Sequence, residues 1–301
     1  MTLDYNIGNS WRKRGLSQCA NSDIMVRMQE WTFADELRLS RLNVVRAALH
    51  FAQEIAYSDL DIPRVLQQIN NLTIAAGDHI AAEISRLRQS VLLAEFLFKA
   101  DGGLRGNAGD YNDPRNSYLN EVLTRRLGIP ISLSVIYIEI AQRLHIPAYG
   151  ISLPGHFIVG VEERGQHWYL DPFHGGGRVS VTDCARLVQA NTGYKGSFDM
   201  QWLQPALEAD ILARMLTNLR VIYVQRSLWD LAVAVIERLC MVQPQIPEHV
   251  RDLGLVHYRK RSLRLAATYL DAYLRAVPDA SDAEAIRKGM RDILDEWTRL
   301  N

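Results

Sequence analysis

Cysteine is scarce in this chain: three in 301 residues, Cys19, Cys184 and Cys240, all far apart. There is no CxxC pair and no Cys/His spacing of a zinc site, so neither a disulfide framework nor a metal centre is expected, and no cofactor either. A reducing compartment is the simpler setting. Net charge is also lacking, with 34 basic residues against 34 acidic ones. That balance gives no general attraction to nucleic acid or to anionic membrane. No run is long and apolar enough to span a bilayer, so no membrane partner is expected. Residues 1–23 are polar throughout and contain no signal-peptide apolar segment. The expectation is a soluble, cytoplasmic protein. Residues 1–31 lack periodicity and read as a polar tail that contributes little to stability.

Apolar residues are plentiful at 48%, enough for a sizeable core. Helical spacing begins behind Thr32, a candidate cap, and continues to about Ala56. Pro63 suits the first turn of a second helix, and Val91–Phe98 reads as a third that stops before Gly102 and Gly103. Residues 101–115 are rich in Gly, Asn and Asp and must be a loop. Asn116 can cap a helix to about Leu127, with Gly128 as its stop. Pro130 then opens a helix through Leu144 that is apolar on most sides, the pattern of a buried central helix.

The pattern changes after Pro147. Residues 148–153, 157–161 and 167–170 are short and β-rich, with a turn over 162–166, and the three glycines 175–177 close the strand region. Helices followed by an antiparallel sheet make an α+β domain, placed at residues 32–200. From Ala209 onward the pattern is helical again. Leu219, Leu231, Ala232, Ile236 and Pro244 recur 34 positions later as Leu253, Leu265, Ala266, Leu270 and Pro278. That is the tetratricopeptide (TPR) period, so residues 201–301 read as an all-α TPR-like region. Only about two repeats fit, and these should pack on the first domain.

The densest cluster of unusual residues is LPGHFIVG (153–160) with WYLDPFHGGG (168–177). A turn centred on Arg164 and Gly165 sets Ile158 opposite Asp171, which makes His156 and Asp171 diagonal neighbours on one sheet face. Imidazole beside carboxylate is the base-and-orienter pair of nucleophilic catalysis. A purely structural His–Asp hydrogen bond fits the same residues.

A helix start after Gly128-Ile129-Pro130, then Gly155-His156, then Trp168 with Asp171-Pro172, resembles the core of the transglutaminase-like superfamily. The resemblance is closer to a bacterial branch, the invasion-regulator-like proteins with a C-terminal TPR region. It is carried by residues 106–144, LPGHFIV and YLDPF. It implies a helical, papain-like core with a small antiparallel sheet, and a Cys–His–Asp site in which His156 and Asp171 supply the last two members. The place of the Cys falls within Pro130–Ser134, where there is no sulfur. Ser132 is the nearest hydroxyl and the one candidate nucleophile, although serine ionises far less readily than cysteine. Asn107, Tyr111, Asp113, Asn116 and Asn120 belong to the matched block. Turn and cap roles explain most of them, but Asn107, Tyr111, Asn116 and Asn120 are kept as candidate binding residues, with His174 at the mouth of the site. Two functions follow. One is a non-catalytic regulatory protein that binds another protein through its TPR-like face. The other is a hydrolase or acyl-transfer enzyme using His156 and Asp171 with Ser132 or water.

Overall fold

The computed structural model describes residues 31–300, with side chains through Arg291. Apart from Trp31, the expected tail lies outside the described residues.

The first helices start where short polar side chains satisfy free backbone N–H groups. Helix α1 (Phe33–Leu37) is capped by Thr32, whose hydroxyl accepts from Asp35 N while the Asp35 carboxylate accepts from Thr32 N. The run to Ala56 is two helices, not one. Asn43 accepts from Arg46 N at 2.8 Å and starts α2 (Val44–Ile55) afresh, because its side chain competes with a continuous helix. Helix α3 (Ile62–Ile80) has Asp61 as its cap and Pro63 in its first turn, and α4 (Arg86–Phe98) is capped by Ser85.

The 101–115 segment is mostly loop. It contains a short strand, β1 (Arg105–Gly106), and runs into a 3-10 turn over Pro114–Asn116. Asn116 therefore does not cap a helix. It lies inside that turn, and α5 (Leu119–Arg125) begins behind Tyr118 instead. The helix ends at Arg126, in the left-handed region at φ 60°, so Gly128 is not its stop. Gly128 belongs to β2 (Leu127–Gly128), which pairs in parallel with β1. Helix α6 (Pro130–Arg143) opens on Pro130 and is buried from Pro130 through Tyr137. It is the central helix.

Four antiparallel strands follow in sequence order: β3 (Ala148–Ile151), β4 (Ile158–Glu163), β5 (Gln166–Asp171) and β6 (Gly177–Val179). Arg164 and Gly165, with φ 52° and 78°, form the two-residue turn that twists with its strands. The glycines do not end the sheet. Gly175 and Gly176 turn the chain back at φ 84° and 72°, and Gly177 pairs with Asp171 to open β6. Strand β4 alternates between two cores: Val159 and Val161 face the main one, while Ile158 joins Ile151, Leu153, Cys184, Val188 and Leu203 on the other side. Helix α7 (Val181–Thr192), unforeseen in the sequence, covers that side with only Cys184 and Val188 buried.

The remaining helices are α8 (Glu208–Gln225), α9 (Trp229–Val242), α10 (Glu248–Arg259), α11 (Leu263–Ala276) and α12 (Ala283–Leu300). The 34-residue repeat is structural. Helices α9 and α11 begin 34 positions apart, and Leu219/Leu253, Ala232/Ala266 and Ile236/Leu270 are buried in equivalent places. Small Ala232 and Ala266 let neighbouring helices approach closely. Helix α8 packs on α2 and α6 as well as on α9, so one continuous core runs from α1 to α10. The buried hydroxyls of Tyr118 and Tyr223 meet at 2.7 Å across this junction.

Candidate functional site

The site forms where β5 ends. After β3, a turn with Gly155 at φ 71° brings His156 N to the Leu153 carbonyl at 3.1 Å. A Cβ on Gly155 would lie 2.8 Å from Asn191 Cβ, so this turn needs glycine both for its φ and for its closeness to α7. The β4–β5 register, Val159 opposite Leu170, sets Ile158 opposite Asp171 one step further on. His156 Nε2 then lies 3.0 Å from Asp171 Oδ2, with both side chains buried, as the parity of the hairpin predicts.

Asp171 does more than hold His156. Its Oδ1 accepts from Phe173 N at 3.1 Å and His174 N at 3.4 Å, capping the 3-10 turn Pro172–His174. Its Oδ2 also lies 2.7 Å from His174 Nδ1. Burial by itself pushes the Asp171 carboxyl up, but the hydrogen bonds and charges of His156 and His174 outweigh it and hold it below the usual carboxylate range. The carboxylate is thus anionic, buried and shared by two imidazoles.

The other sequence candidates divide into two groups. Tyr111 and His174 are at the site. The Tyr111 ring meets Phe173 edge-on at 6.0 Å, and Phe173 in turn meets His156 at 6.1 Å, while His174 is exposed at the rim. Asn107, Asn116 and Ser132 instead build the loop behind it. Asn116 is fully buried. Its amide donates to the carbonyls of Asp110 and Tyr111, and its Oδ1 accepts from Asn107 Nδ2 at 3.1 Å. Ser132 is also fully buried. Its hydroxyl donates to the Asn116 carbonyl at 2.6 Å and accepts from Ile129 N at 3.1 Å. Among the described residues, no hydrogen bond joins Ser132 to His156. Asn120 is buried in α5 with its Oδ1 unpartnered. Asp113 pairs with Arg115 and Arg125, which fastens the same loop.

Sequence reasoning missed Arg214. This α8 residue reaches back to the sheet, donating to the Leu153 carbonyl at 2.9 Å and the His156 carbonyl at 2.8 Å, with Ser152 Oγ alongside. Burial lowers its pKa. It fixes the backbone that carries His156, although it comes from the helix that leads into the repeats. The available signal was a lone charge in the apolar run 211–216.

Helix α6 buried against a small sheet, with a His–Asp pair at the ends of its two inner strands, defines a transglutaminase-like domain, and the chain belongs to the transglutaminase-like superfamily. The family model for that superfamily matches residues 63–217, and a tetratricopeptide-repeat model matches residues 219–291. More particularly, the chain is similar to a UPF0162 protein of Xylella fastidiosa (strain 9a5c), with 38% identity over 262 residues covering 85% of this chain and 91% of the relative. It is also similar to Protein SirB1 of Salmonella typhimurium, with 26% identity covering 80% and 90% respectively. Among solved structures it matches a crystal structure of menin, described as revealing the binding site for Mixed Lineage Leukemia protein. The TM-score there is 0.37 at 12% identity, covering 79% of this chain and 67% of that one.

Proposed function

We propose that this chain is a non-catalytic member of its superfamily, a regulatory protein of the cytoplasm that keeps the transglutaminase-like site as a scaffold and binds another protein through its TPR region. One observation carries this reading: among the described residues, no serine or cysteine is hydrogen-bonded to His156, whose ring pairs with Asp171. The start of α6 offers Ser132, whose hydroxyl is fully buried and bound to the Asn116 carbonyl. Cys184 is fully buried in the small core that α7 forms with Ile158 and Leu153, where burial pushes its thiol up to about 11. Cys240 lies in α9, among the repeats. A transglutaminase-like site works through a thiolate made at a helix N-terminus beside an imidazole, and no described cysteine occupies that position. TPR hairpins form surfaces suited to protein partners.

The competing reading is a hydrolase or acyl-transfer enzyme. It has the 3.0 Å His156–Asp171 pair in its favour, since that is the geometry of a base and its orienter. Among the described residues it still lacks a serine or cysteine bonded to the base, which leaves water as the group to activate.

The test is chemical labelling of the native full-length chain. A serine-reactive fluorophosphonate should leave Ser132 unmodified, and iodoacetamide should not alter any binding or activity. A phosphonate adduct on Ser132, or a peptidase or acyl-transfer activity abolished by thiol modification, would overturn the scaffold reading.

A further inference from the structure

His174 is used by neither reading above, yet it points at the same oxygen as His156. His156 Nε2 lies 3.0 Å and His174 Nδ1 2.7 Å from Asp171 Oδ2, and all three donor atoms lie within 4.8 Å of one another. Two imidazole nitrogens and one carboxylate oxygen converging on one point form a ligand set for a first-row transition metal. The two nitrogen donors disfavour magnesium and calcium, which take oxygen ligands.

The dimensions fit. Metal–ligand bonds of about 2.1 Å at tetrahedral angles hold neighbouring ligand atoms about 3.3 Å apart. The separations from Oδ2, 3.0 Å to His156 and 2.7 Å to His174, are short of that by about 0.3 and 0.6 Å, and the larger gap lies at the exposed His174 ring, which is free to rotate. The supporting shell is also built. Asp171 Oδ1 is held by the N–H groups of Phe173 and His174, which leaves Oδ2 to face the two rings as a single-oxygen ligand. Phe173 packs edge-on against both rings, at 6.1 Å from His156 and 5.1 Å from His174, and fixes their planes.

An entry path exists as well. His174 is 59% exposed, and Asp171 and His174 line an open depression of about 520 Å³ with Arg178, Asp183 and Arg186. The cations of that depression already have partners. Arg178 lies over the Trp168 ring at 3.6 Å, and Arg186 pairs with Asp183 at 3.0 Å.

We propose that His156 Nε2, Asp171 Oδ2 and His174 Nδ1 form a binding site for a divalent transition-metal ion of the zinc class, with a fourth position open to the solvent side. Binding replaces the two hydrogen bonds to Oδ2 with metal bonds. Each ring then carries its proton on the other nitrogen, Nδ1 of His156 and Nε2 of His174. The site does not depend on a nucleophile at Ser132, so its test stands apart from the labelling test.

The full-length chain, stripped of metal with a chelator, is titrated with Co²⁺ while its visible d–d absorption is followed. One equivalent should produce bands of a low-symmetry, nitrogen-containing site, and Zn²⁺ should abolish them. His174→Ala should weaken Co²⁺ binding at least about tenfold, whereas His79→Ala, an exposed histidine on α3, should not. The His174 ring is largely exposed, so this variant should fold, and a melting curve checks that. On the unmodified protein, Zn²⁺ should shift the ring nitrogens of His156 and His174 in long-range ¹H–¹⁵N spectra. Absence of d–d bands in excess cobalt, unchanged affinity in His174→Ala, or shifts confined to other histidines would each overturn the site.

Discussion

The transglutaminase-like end and the TPR end of this chain bury different things. Around α6, fully or nearly buried polar groups are dense, and most are partnered: Asn116 with Asn107, Ser132 with the Asn116 carbonyl, Asp171 with two histidines, Asp113 with two arginines. In the α10–α11 hairpin the interior is Leu253, Ala266 and Leu270, and the charges lie outside in pairs such as Arg251 with Asp252 and Asp282. The two buried histidines there, His249 and His257, each leave Nδ1 without a partner. A buried polar group costs free energy unless it is hydrogen-bonded, so a partnered cluster marks a place where geometry is fixed. The repeats fix only a shape. The difference separates a site from a surface within a single continuous core.

The largest expected effect tests the site end. Asp171→Ala removes the acceptor of two imidazoles and two backbone N–H groups at once. Breaking such a buried charged network costs about 3 kcal/mol, on the order of 10 °C in melting temperature for a chain of this size. The acid limb sharpens the comparison. The Asp171 pKa is depressed in the folded chain, so its contribution is complete above the ordinary carboxylate value near about 4 and is lost as pH falls through the lower folded value. The variant should therefore lose stability at neutral pH but show a shallower decline below about pH 4. A wild-type-like melting temperature at neutral pH would mean the pair contributes nothing.

Next in size is Arg214→Met, which keeps most of the apolar stem and removes the donors to the Leu153 and His156 carbonyls. Orphaning these acceptors should cost about 2 kcal/mol. Because α8 also carries the repeats, this variant asks whether the two ends are coupled. Hydrogen exchange should speed up at residues 152–157 and leave α11 unchanged. Faster exchange across α10 and α11 instead would show that Arg214 ties the repeats to the domain.

How much of this was legible in the sequence depended on the range of the interaction. Pro130 at a helix start, Thr32 as a cap and Arg164-Gly165 as a two-residue turn are local signals, and each works where it was read. The turn alone fixed the strand parity, and parity brought His156 to Asp171. The 34-residue repeat was legible because packing between like helices writes the same small and large residues twice. Local signals failed where tertiary structure decided. Asn116 has a capping residue's chemistry, but its amide is claimed by the loop carbonyls of Asp110 and Tyr111. Gly177 is a poor strand former, yet it pairs with Asp171 because a neighbouring strand was already in place. Helix α7 buries only Cys184 and Val188, too thin a stripe to reveal its period. Arg214 could be recognised as unusual, but its target lies 58 residues away in sequence.

A smaller effect belongs to the repeats. Burial holds the pKa values of His249 and His257 below the ordinary histidine value, and the same holds for His50 in α2. A histidine with a depressed folded pKa binds its proton more readily when unfolded, so stability falls as pH drops below about 6.5 toward the folded values. His249→Gln with His257→Gln should flatten the loss of melting temperature between pH 7 and pH 5 that remains above the Asp171 window. An unchanged slope would assign that loss to His50 or to groups outside the repeats.

The smallest expected effect is a reaction that does not occur, and it bears most directly on whether a described thiol can serve the site. Cys184 is the described cysteine nearest the His–Asp pair: the Asp171 charge is among the causes that raise its pKa. Yet its thiol is fully buried, with Val188 and Ile158 in the small core. Burial acts first, then the charges of Asp183 and Asp171, and together they push it up to about 11. At pH 8 a group of that pKa is thiolate only about one part in a thousand, before burial further restricts access. Native protein treated with iodoacetamide at pH 8 should be modified at Cys240, which is partly exposed, well before Cys184, and should keep its melting temperature within about 1 °C while Cys184 remains unmodified. In denaturant Cys184 and Cys240 should react at the same ordinary rate. Rapid native labelling of Cys184 would mean that the sheet opens on α7. A thiol would then be able to approach Asp171 and His156 after all, and the distinction between a partnered, closed site and an open surface would fail at its most important point.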